Sequence, residues 1–249
     1  MRFKDRSVLV TGGATGIGRA AALAFAREGA QVMIGDVHPD AAQTVADIRA
    51  AGGRADHRHC DVSDKAQVDA LVAAAIAQHG GLHAAFNNAG VLPPPALFAD
   101  VSEADFDRIM AVNTKGVFLC MQAELRHMAA HGGGAIVNTA SVGAVIANAN
   151  MAPYVASKHA VAGLTKAAGI EYIRQGVRVN AIAPGFVRTA MTEAWVQTPG
   201  FLEAFFASSP IGRYADPAEM AGMVLHLCSD EASFTNGQLF VIDGGQTAI

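Results

Sequence analysis

Residues 7–18 read SVLVTGGATGIG. Ser7-Val8-Leu9-Val10 has the apolar, β-branched character of a short buried strand, and the glycine-rich run Thr11-Gly12-Gly13-Ala14-Thr15-Gly16-Ile17-Gly18 follows it directly. Glycines at such a turn can take positive φ and let the backbone come close to a ligand. From Ile17 the pattern becomes helical through residue 28 and stops at Gly29. A strand, a glycine turn and a helix N-terminus in this order offer unpaired N–H groups and a positive dipole end to a pyrophosphate. The G-x-G-x-x-G/A fingerprint falls on Gly16, Gly18 and Ala21, in a turn that opens four residues earlier, at Gly12.

Outward from this unit the same alternation repeats. Strands are expected over 31–35, 55–60 (weak and polar), 83–86, 135–139, 177–182 and 239–242. Helical patterns lie between them over 40–51, 64–79 with Ser63 as cap, 103–131 with a break near Asn113, and 153–174. Strands separated by helices run parallel, and near-continuous apolar strands fit a sheet covered on both faces. The expectation is one α/β domain over 1–249, a Rossmann-type doubly wound parallel sheet of about seven strands. Residues 188–217 show no strand in their turn of the alternation. They carry Trp195, Phe201, Phe205 and Phe206, and read either as a substrate lid or as packing in an oligomer.

Asp36 ends the second strand, twenty residues after Gly16, where a carboxylate accepts hydrogen bonds from the ribose hydroxyls of a dinucleotide. A 2′-phosphate there meets like charge. Ala14, Thr15 and Val37 supply no basic partner for one, so NAD is favoured over NADP.

Tyr154-Val155-Ala156-Ser157-Lys158 sets a phenol and an ammonium at i, i+4 on one helix face, about 6 Å apart at Cβ. A free tyrosine titrates near 10, too high for a base at neutral pH, and a neighbouring ammonium lowers that value. Such a pair suits proton transfer to or from an alcohol or carbonyl oxygen. Ser141 follows the 135–139 strand, Asn88-Ala89-Gly90 another, and Pro184-Gly185, with Thr189 beyond, a third. All of these polar cues fall at the carboxyl edge of the expected sheet, where ligands bind.

These residues together make the chain resemble the classical short-chain dehydrogenase/reductase family over essentially its full length. The matching motifs are Thr11-Gly12-x-x-x-Gly16-x-Gly18, Asp61, Asn88-Ala89-Gly90, Asn113, Ser141, Tyr154-x-x-x-Lys158, Pro184-Gly185 with Thr189, and Asp243-Gly244-Gly245. The resemblance implies an oxidoreductase in which Tyr154 is the general acid/base. Lys158 would hold the nicotinamide ribose and lower the Tyr154 pKa. Ser141 would bond the substrate oxygen, and Asn113 would hold a water linking Lys158 to solvent. Gly12, Thr15, Gly16, Ile17 and Gly18 would take the pyrophosphate. Asp61 and Val62 would contact adenine, Asn88, Ala89 and Gly90 would sit beside its ribose, and Pro184, Gly185, Val187 and Thr189 would line the carboxamide end. A homotetramer is implied as well.

The remaining composition narrows the field. A net charge of −4 with no basic run argues against nucleic acid or an anionic membrane as the main partner. The apolar runs at 20–26 and 71–77 fall well short of the ~20 residues that span a bilayer. Cys60, Cys120 and Cys228 are odd in number and far apart, as expected of buried thiols in a reducing, cytoplasmic setting. His57 with His59 and His127 with His131 have metal-ligand spacings but no evident third ligand, so no metal is expected. The apolar segment 142–152 points to a hydrophobic secondary alcohol or ketone, with Asn148 and Asn150 as possible polar contacts. Two rival readings are a 3-oxoacyl-thioester reductase of the same family and a non-catalytic dinucleotide-binding module. The second would be expected to lose Tyr154, Lys158 or Ser141, all of which are present.

Overall fold

The computed structural model describes residues 1–248. Seven parallel strands form one sheet in the order β3-β2-β1-β4-β5-β6-β7. They are β1 (Ser7–Thr11), β2 (Gln31–Asp36), β3 (Arg54–His59), β4 (Ala84–Asn87), β5 (Gly134–Thr139), β6 (Val177–Pro184) and β7 (Leu239–Ile242). β1 pairs with both β2 and β4, so the winding reverses there and the strand ends part into a crevice.

Alternate side chains of each strand feed two cores. Val8, Val10, Val32, Ile34, Phe86 and Ile182 pack on one face against α1 (Gly16–Arg27), α2 (Ala41–Ala50) and α9 (Pro217–Cys228). Leu9, Met33, Ala85, Ile136 and Val179 pack on the other against α3 (Lys65–His79), α5 (Gly116–Ala130) and α6 (Ala152–Tyr172). The Phe3 and Phe25 rings meet edge to face at 4.9 Å under α1. Burying a phenylalanine contributes about 2–3 kcal/mol.

The polar strand at 54–59 is the sheet edge: only Ala55 is buried, and the charged remainder faces water, which also deters edge-to-edge association. Helix α9 was not evident from the strand–helix alternation. Its N-terminus is a capping box, in which Asp216 and Glu219 each bond the other's backbone. Met220, Ala221, Val224 and Leu225 then bury against α1 and the sheet.

Two local expectations change. The cap of α3 is Asp64, which accepts from Ala66 N and Gln67 N, while Ser63 turns to Asp61. The break expected near Asn113 is a π-helical turn over Met110–Lys115 that joins α4 (Glu103–Ile109) to α5 without interrupting the chain's coil. Such wide turns recur at functional sites. Residues 188–217 hold two short helices, α7 (Glu193–Val196) and α8 (Phe201–Ser208). A backbone bridge between Val187 and Ala215 pins the two feet of this excursion together.

Candidate active site

The crevice at the carboxyl ends of β1, β4, β5 and β6 holds a cleft of about 360 Å³. Gly12 and Gly16 form its floor with φ of +67° and +54°. A Cβ on Gly12 would stand 2.8 Å from Ala89 Cα, so the turn requires glycine for space as well as for φ. Thr15 caps α1 without a side-chain bond, and the first turn carries no acidic residue. The leading N–H groups of α1 are therefore open to an anion. Ile17 lines the same wall. Gly18 does not. It faces inward, where a Cβ would lie 2.0 Å from Gly12 O and 2.6 Å from Asn88 Nδ2, so it lets the helix seat against the turn.

Asp36 borders the far end of the cleft. Its Oδ2 accepts from Ala14 N at 2.8 Å and its Oδ1 from His38 N at 2.9 Å. The carboxylate is thus held in one orientation by the glycine turn and by the start of the next loop, with lone pairs to spare for a vicinal diol. Val37, beside it, is 58% exposed and brings no charge. Asp61 and Val62 form the adjoining wall. One oxygen of Asp61 accepts from both Ser63 N and Ser63 Oγ.

Asn88 lines the cleft but its amide is turned back into the fold: Nδ2 donates to Gly12 O (3.1 Å) and Thr11 O (3.3 Å), and Oδ1 accepts from Thr139 Oγ1 (3.3 Å). Thr11 Oγ1 accepts from Asn88 N and Ala89 N in return. This stitching of β1, β4 and β5 fixes the spacing of the three loops. Thr11 opens the glycine motif in sequence, whereas Thr139, which lines the cleft, belongs to none of the motifs although it too ends a strand at the ligand edge. Gly90 continues the wall, and a Cβ there would lie 3.3 Å from Asn113 Oδ1 and 3.7 Å from Lys158 Nζ.

Asn113 stands behind the wall, fully buried in the π turn. Its Oδ1 accepts from Val91 N (2.8 Å), and its Nδ2 donates to Val91 O (2.9 Å) and Ser157 Oγ (3.3 Å). The side chain clamps the loop after β4 to α6, with one lone pair of Oδ1 left over.

Ser141, Tyr154 and Lys158 come together at the centre of the cleft. Ser141 Oγ accepts from Gly143 N at 3.1 Å, which leaves its proton free for another acceptor. Lys158 Nζ donates to Thr139 O at 2.8 Å and lies 5.5 Å from the Tyr154 ring centre. The expected lowering of the tyrosine by the lysine is not what this arrangement produces. Burial holds the Tyr154 phenol above its ordinary value, with the Ser141 hydroxyl pulling the other way, and burial brings Lys158 down to about 8. Loss of water disfavours both charged forms, and the ammonium is engaged by a carbonyl instead of the phenol.

Pro184, Gly185, Val187 and Thr189 close the opposite wall, joined by Met191 and Thr192, which the motifs did not single out. Thr192 Oγ1 accepts from Thr189 N (2.9 Å) and donates to Val187 O (2.8 Å), shaping this turn. Asp243 of the Asp-Gly-Gly run packs against it: a Cβ on Gly185 would lie 2.8 Å from Asp243 Cα. Phe186, Trp195, Phe201 and Phe205 cluster with one another, with centroids 4.9–6.3 Å apart, and do not line the cleft themselves. Asn148 and Asn150 are exposed and off the cleft wall; the carbonyl of Asn150 instead accepts from Ala96 N at 3.2 Å.

Residues 12–247 match a family model described as enoyl-(acyl carrier protein) reductase. The chain is 42% identical over 249 residues to a 2,5-dichloro-2,5-cyclohexadiene-1,4-diol dehydrogenase of Sphingobium indicum, covering 99% of both chains. It is 40% identical to a cyclohexanol dehydrogenase of an Acinetobacter species, covering 99% of this chain and 97% of that one. A gluconate 5-dehydrogenase from Burkholderia cenocepacia, solved in complex with NADP and tartrate, superposes with a TM-score of 0.95 at 36% identity, covering 100% of this chain and 97% of that one. With its glycine cradle, its Ser141–Tyr154–Lys158 centre and these relatives, the chain belongs to the classical short-chain dehydrogenase/reductase family and is an oxidoreductase of the kind that acts on CH–OH groups in those relatives.

Proposed function

We propose that this protein interconverts a hydrophobic cyclic secondary alcohol and its ketone, with NAD as the preferred cofactor. The observation that carries the reading is the placement of Ser141, Tyr154 and Lys158 in one cleft with Asp36 and the open N-terminus of α1. A nicotinamide dinucleotide fits the residues present. Gly12, Thr15, Gly16 and Ile17 would hold its phosphates and Asp36 its adenosine ribose. Asp61 and Val62 would flank the adenine, with Lys158 at the second ribose and Val187 and Thr189 beyond it. When bound, it supplies the acceptor or donor of a hydride.

In alcohol oxidation the substrate hydroxyl gives its proton to Tyr154 as the phenolate, the form that a protonated Lys158 favours, and in ketone reduction the neutral phenol gives that proton back. Ser141 Oγ–H donates to the substrate oxygen and keeps the carbinol carbon in register. Lys158 places positive charge behind the phenol whenever it is protonated. Asn113 acts through position, holding the Val91 loop and α6 together. Met191 lies on the cleft wall, and 188–217, with its aromatic cluster, would close over a carbocyclic substrate as a lid. Asp36 disfavours a 2′-phosphate by charge, the ground for preferring NAD, although a relative has been solved with NADP.

The protein works in the cytoplasm as a homotetramer in this reading. Phe106 and Phe118, 44% and 43% exposed on α4 and α5, are side chains that a neighbouring copy would cover. NADH formation against a panel of cyclic and open-chain secondary alcohols tests the reading. Turnover of cyclohexanols supports it, and activity confined to 3-oxoacyl thioesters with NADPH replaces it with the acyl reductase alternative.

A further inference from the structure

Beneath the cleft, polar side chains cross the core in a line. Glu124 on α5 accepts at Oε2 from Asn87 Nδ2 on β4 (2.9 Å). The same Nδ2 donates to Asn138 Oδ1 on β5 (3.1 Å), and Asn138 Nδ2 donates to Thr165 Oγ1 on α6 (2.9 Å). All four residues are buried, and Glu124 has no exposed surface. Each member sits beside the site machinery: Asn87 precedes Asn88, Asn138 precedes Thr139, and Thr165 shares a helix with Tyr154 and Lys158.

Two acceptors in this line have nothing to accept, Glu124 Oε1 and Asn87 Oδ1. A buried carboxylate with an orphaned oxygen is costly, and a second orphan acceptor on its one side-chain partner adds to the cost. Among the described residues Glu124 has no ion-pair partner, and its one side-chain hydrogen bond is to the neutral amide of Asn87. The titratable groups that sense it are the thiols of Cys120 on α5 and Cys228 on α9, both pushed up by burial and hence neutral. One proton would answer both deficits: on Oε1 it turns an orphan acceptor into a donor, on the carboxyl whose other oxygen already bonds the amide of Asn87, where the second orphan acceptor sits.

We propose that Glu124 is a neutral carboxylic acid in the native protein, donating Oε1–H to Asn87 Oδ1, and acts as a positioning residue that locks β4 to α5 below the nucleotide loops. Nothing in this depends on which substrate is turned over. Burial acts in the same direction, pushing the carboxyl up to about 7. The folded-state pKa is raised above the unfolded value of 4.5, so the stability it contributes is full below that value. It falls as pH rises through about 7, where the acid ionises and the lock loses its donor.

Infrared titration of protein carrying 13C-labelled glutamate tests the protonation directly. A protonated carboxylic C=O band should persist at about pH 6, where exposed glutamates are ionised, and fade around pH 7. Thermal unfolding across about pH 5 to 8 tests the consequence. Wild type should lose several degrees of Tm relative to E124Q, whose amide donates to Asn87 Oδ1 and accepts from Asn87 Nδ2 without titrating. E124L, which does neither, should be less stable than both at the acid end. Absence of the protonated band at about pH 6, or parallel pH slopes for wild type and E124Q, would overturn the proposal. The infrared arm decides it on wild-type protein even if E124Q does not fold.

Discussion

Lys158 is held by Thr139: its ammonium donates to that residue's backbone carbonyl at 2.8 Å, in a site where Lys158 is only 4% exposed. The end of β5 thus fixes where the charge stands, and the protein bears the cost of burying it. A lysine brought down to about 8 has a folded value below its unfolded one, so its stabilising contribution is present above about 10.5 and lost as pH falls through 8. Lys158→Met removes that burden at neutral pH. The variant should be more stable than wild type by about 1–3 kcal/mol at pH 7, less whatever the unpaired Thr139 carbonyl costs. The gain should shrink as pH rises toward 10, while turnover and dinucleotide affinity both drop. Thermal melts across this range check the sign, and a variant less stable at pH 7 than at pH 10, relative to wild type, contradicts it.

Gly18→Ala should act on the cradle without touching its ligand. The added methyl would meet Gly12 O at 2.0 Å and Asn88 Nδ2 at 2.6 Å, both held in the stitched turn, so helix or turn must move. Overpacking of this kind costs about 1–3 kcal/mol. Dinucleotide affinity, measured by titration calorimetry, should fall at least tenfold with the helix content unchanged by circular dichroism.

Arg188 latches the foot of the 188–217 excursion. It makes a two-pronged pair with Glu193 (3.2 Å each) and donates to the Tyr214 hydroxyl at 3.1 Å. The pair is exposed, so Arg188→Gln should barely change global stability. Its effect should be local: faster hydrogen exchange across 188–217 and a higher KM for the alcohol, with KM for the dinucleotide little altered. Equal, strong protection of this segment in both proteins and in the presence or absence of ligands would favour its role as oligomer packing.

Much of this architecture is legible in the chain because each strand–helix unit carries its own punctuation, as Gly29, Gly80 and Gly176 show at element ends. The carboxyl-edge placement of Ser141, Tyr154 and Asp36 follows from topology once the strands are read. What escapes is whatever depends on a third dimension. Asn88 carries no mark in sequence that its amide faces Gly12 and not the ligand. The i, i+4 spacing of Tyr154 and Lys158 reports adjacency but not burial, and burial reverses the expected direction of the phenol's shift. Helix α9 is different: Asp216-Pro217-Ala218-Glu219 is a start signal written in the sequence, a capping box with proline at the first helical position, which the strand–helix alternation alone does not bring out.

Asp36 gives the cofactor prediction a geometric footing. Both of its oxygens are tied to backbone N–H groups, so it cannot swing aside for a 2′-phosphate without releasing Ala14 and His38. Wild type should therefore prefer NAD. Asp36→Ala with Val37→Arg removes the repulsion and supplies a phosphate partner on an exposed position, and should move the ratio of kcat/KM values for the two cofactors toward NADP by at least tenfold. A wild-type preference for NADP sinks the reading of Asp36.

Tyr154→Phe isolates the proton from everything else the ring does. The phenyl group keeps its packing beside Gly143 and Lys158, and neither Asp36 nor the glycine cradle touches the phenol oxygen, so folding and dinucleotide affinity should be nearly unchanged. Turnover should fall by the ~10²–10⁴ that positioned acid/base catalysis supplies. The pH dependence sharpens the test. In the protein alone, burial holds the phenol above its ordinary value of 10.0, so ultraviolet difference titration, wild type minus variant, should show Tyr154 ionising later than a free tyrosine. Alcohol oxidation that rises with pH along a limb below 10 would then mean that the filled site, with Lys158 and Ser141 around it, favours the phenolate more than the empty protein does. That limb should shift upward in Lys158→Met, wherever residual activity permits its measurement. If Tyr154→Phe keeps a near-wild-type kcat with its best alcohol, the proton passes elsewhere and Tyr154 is part of the wall.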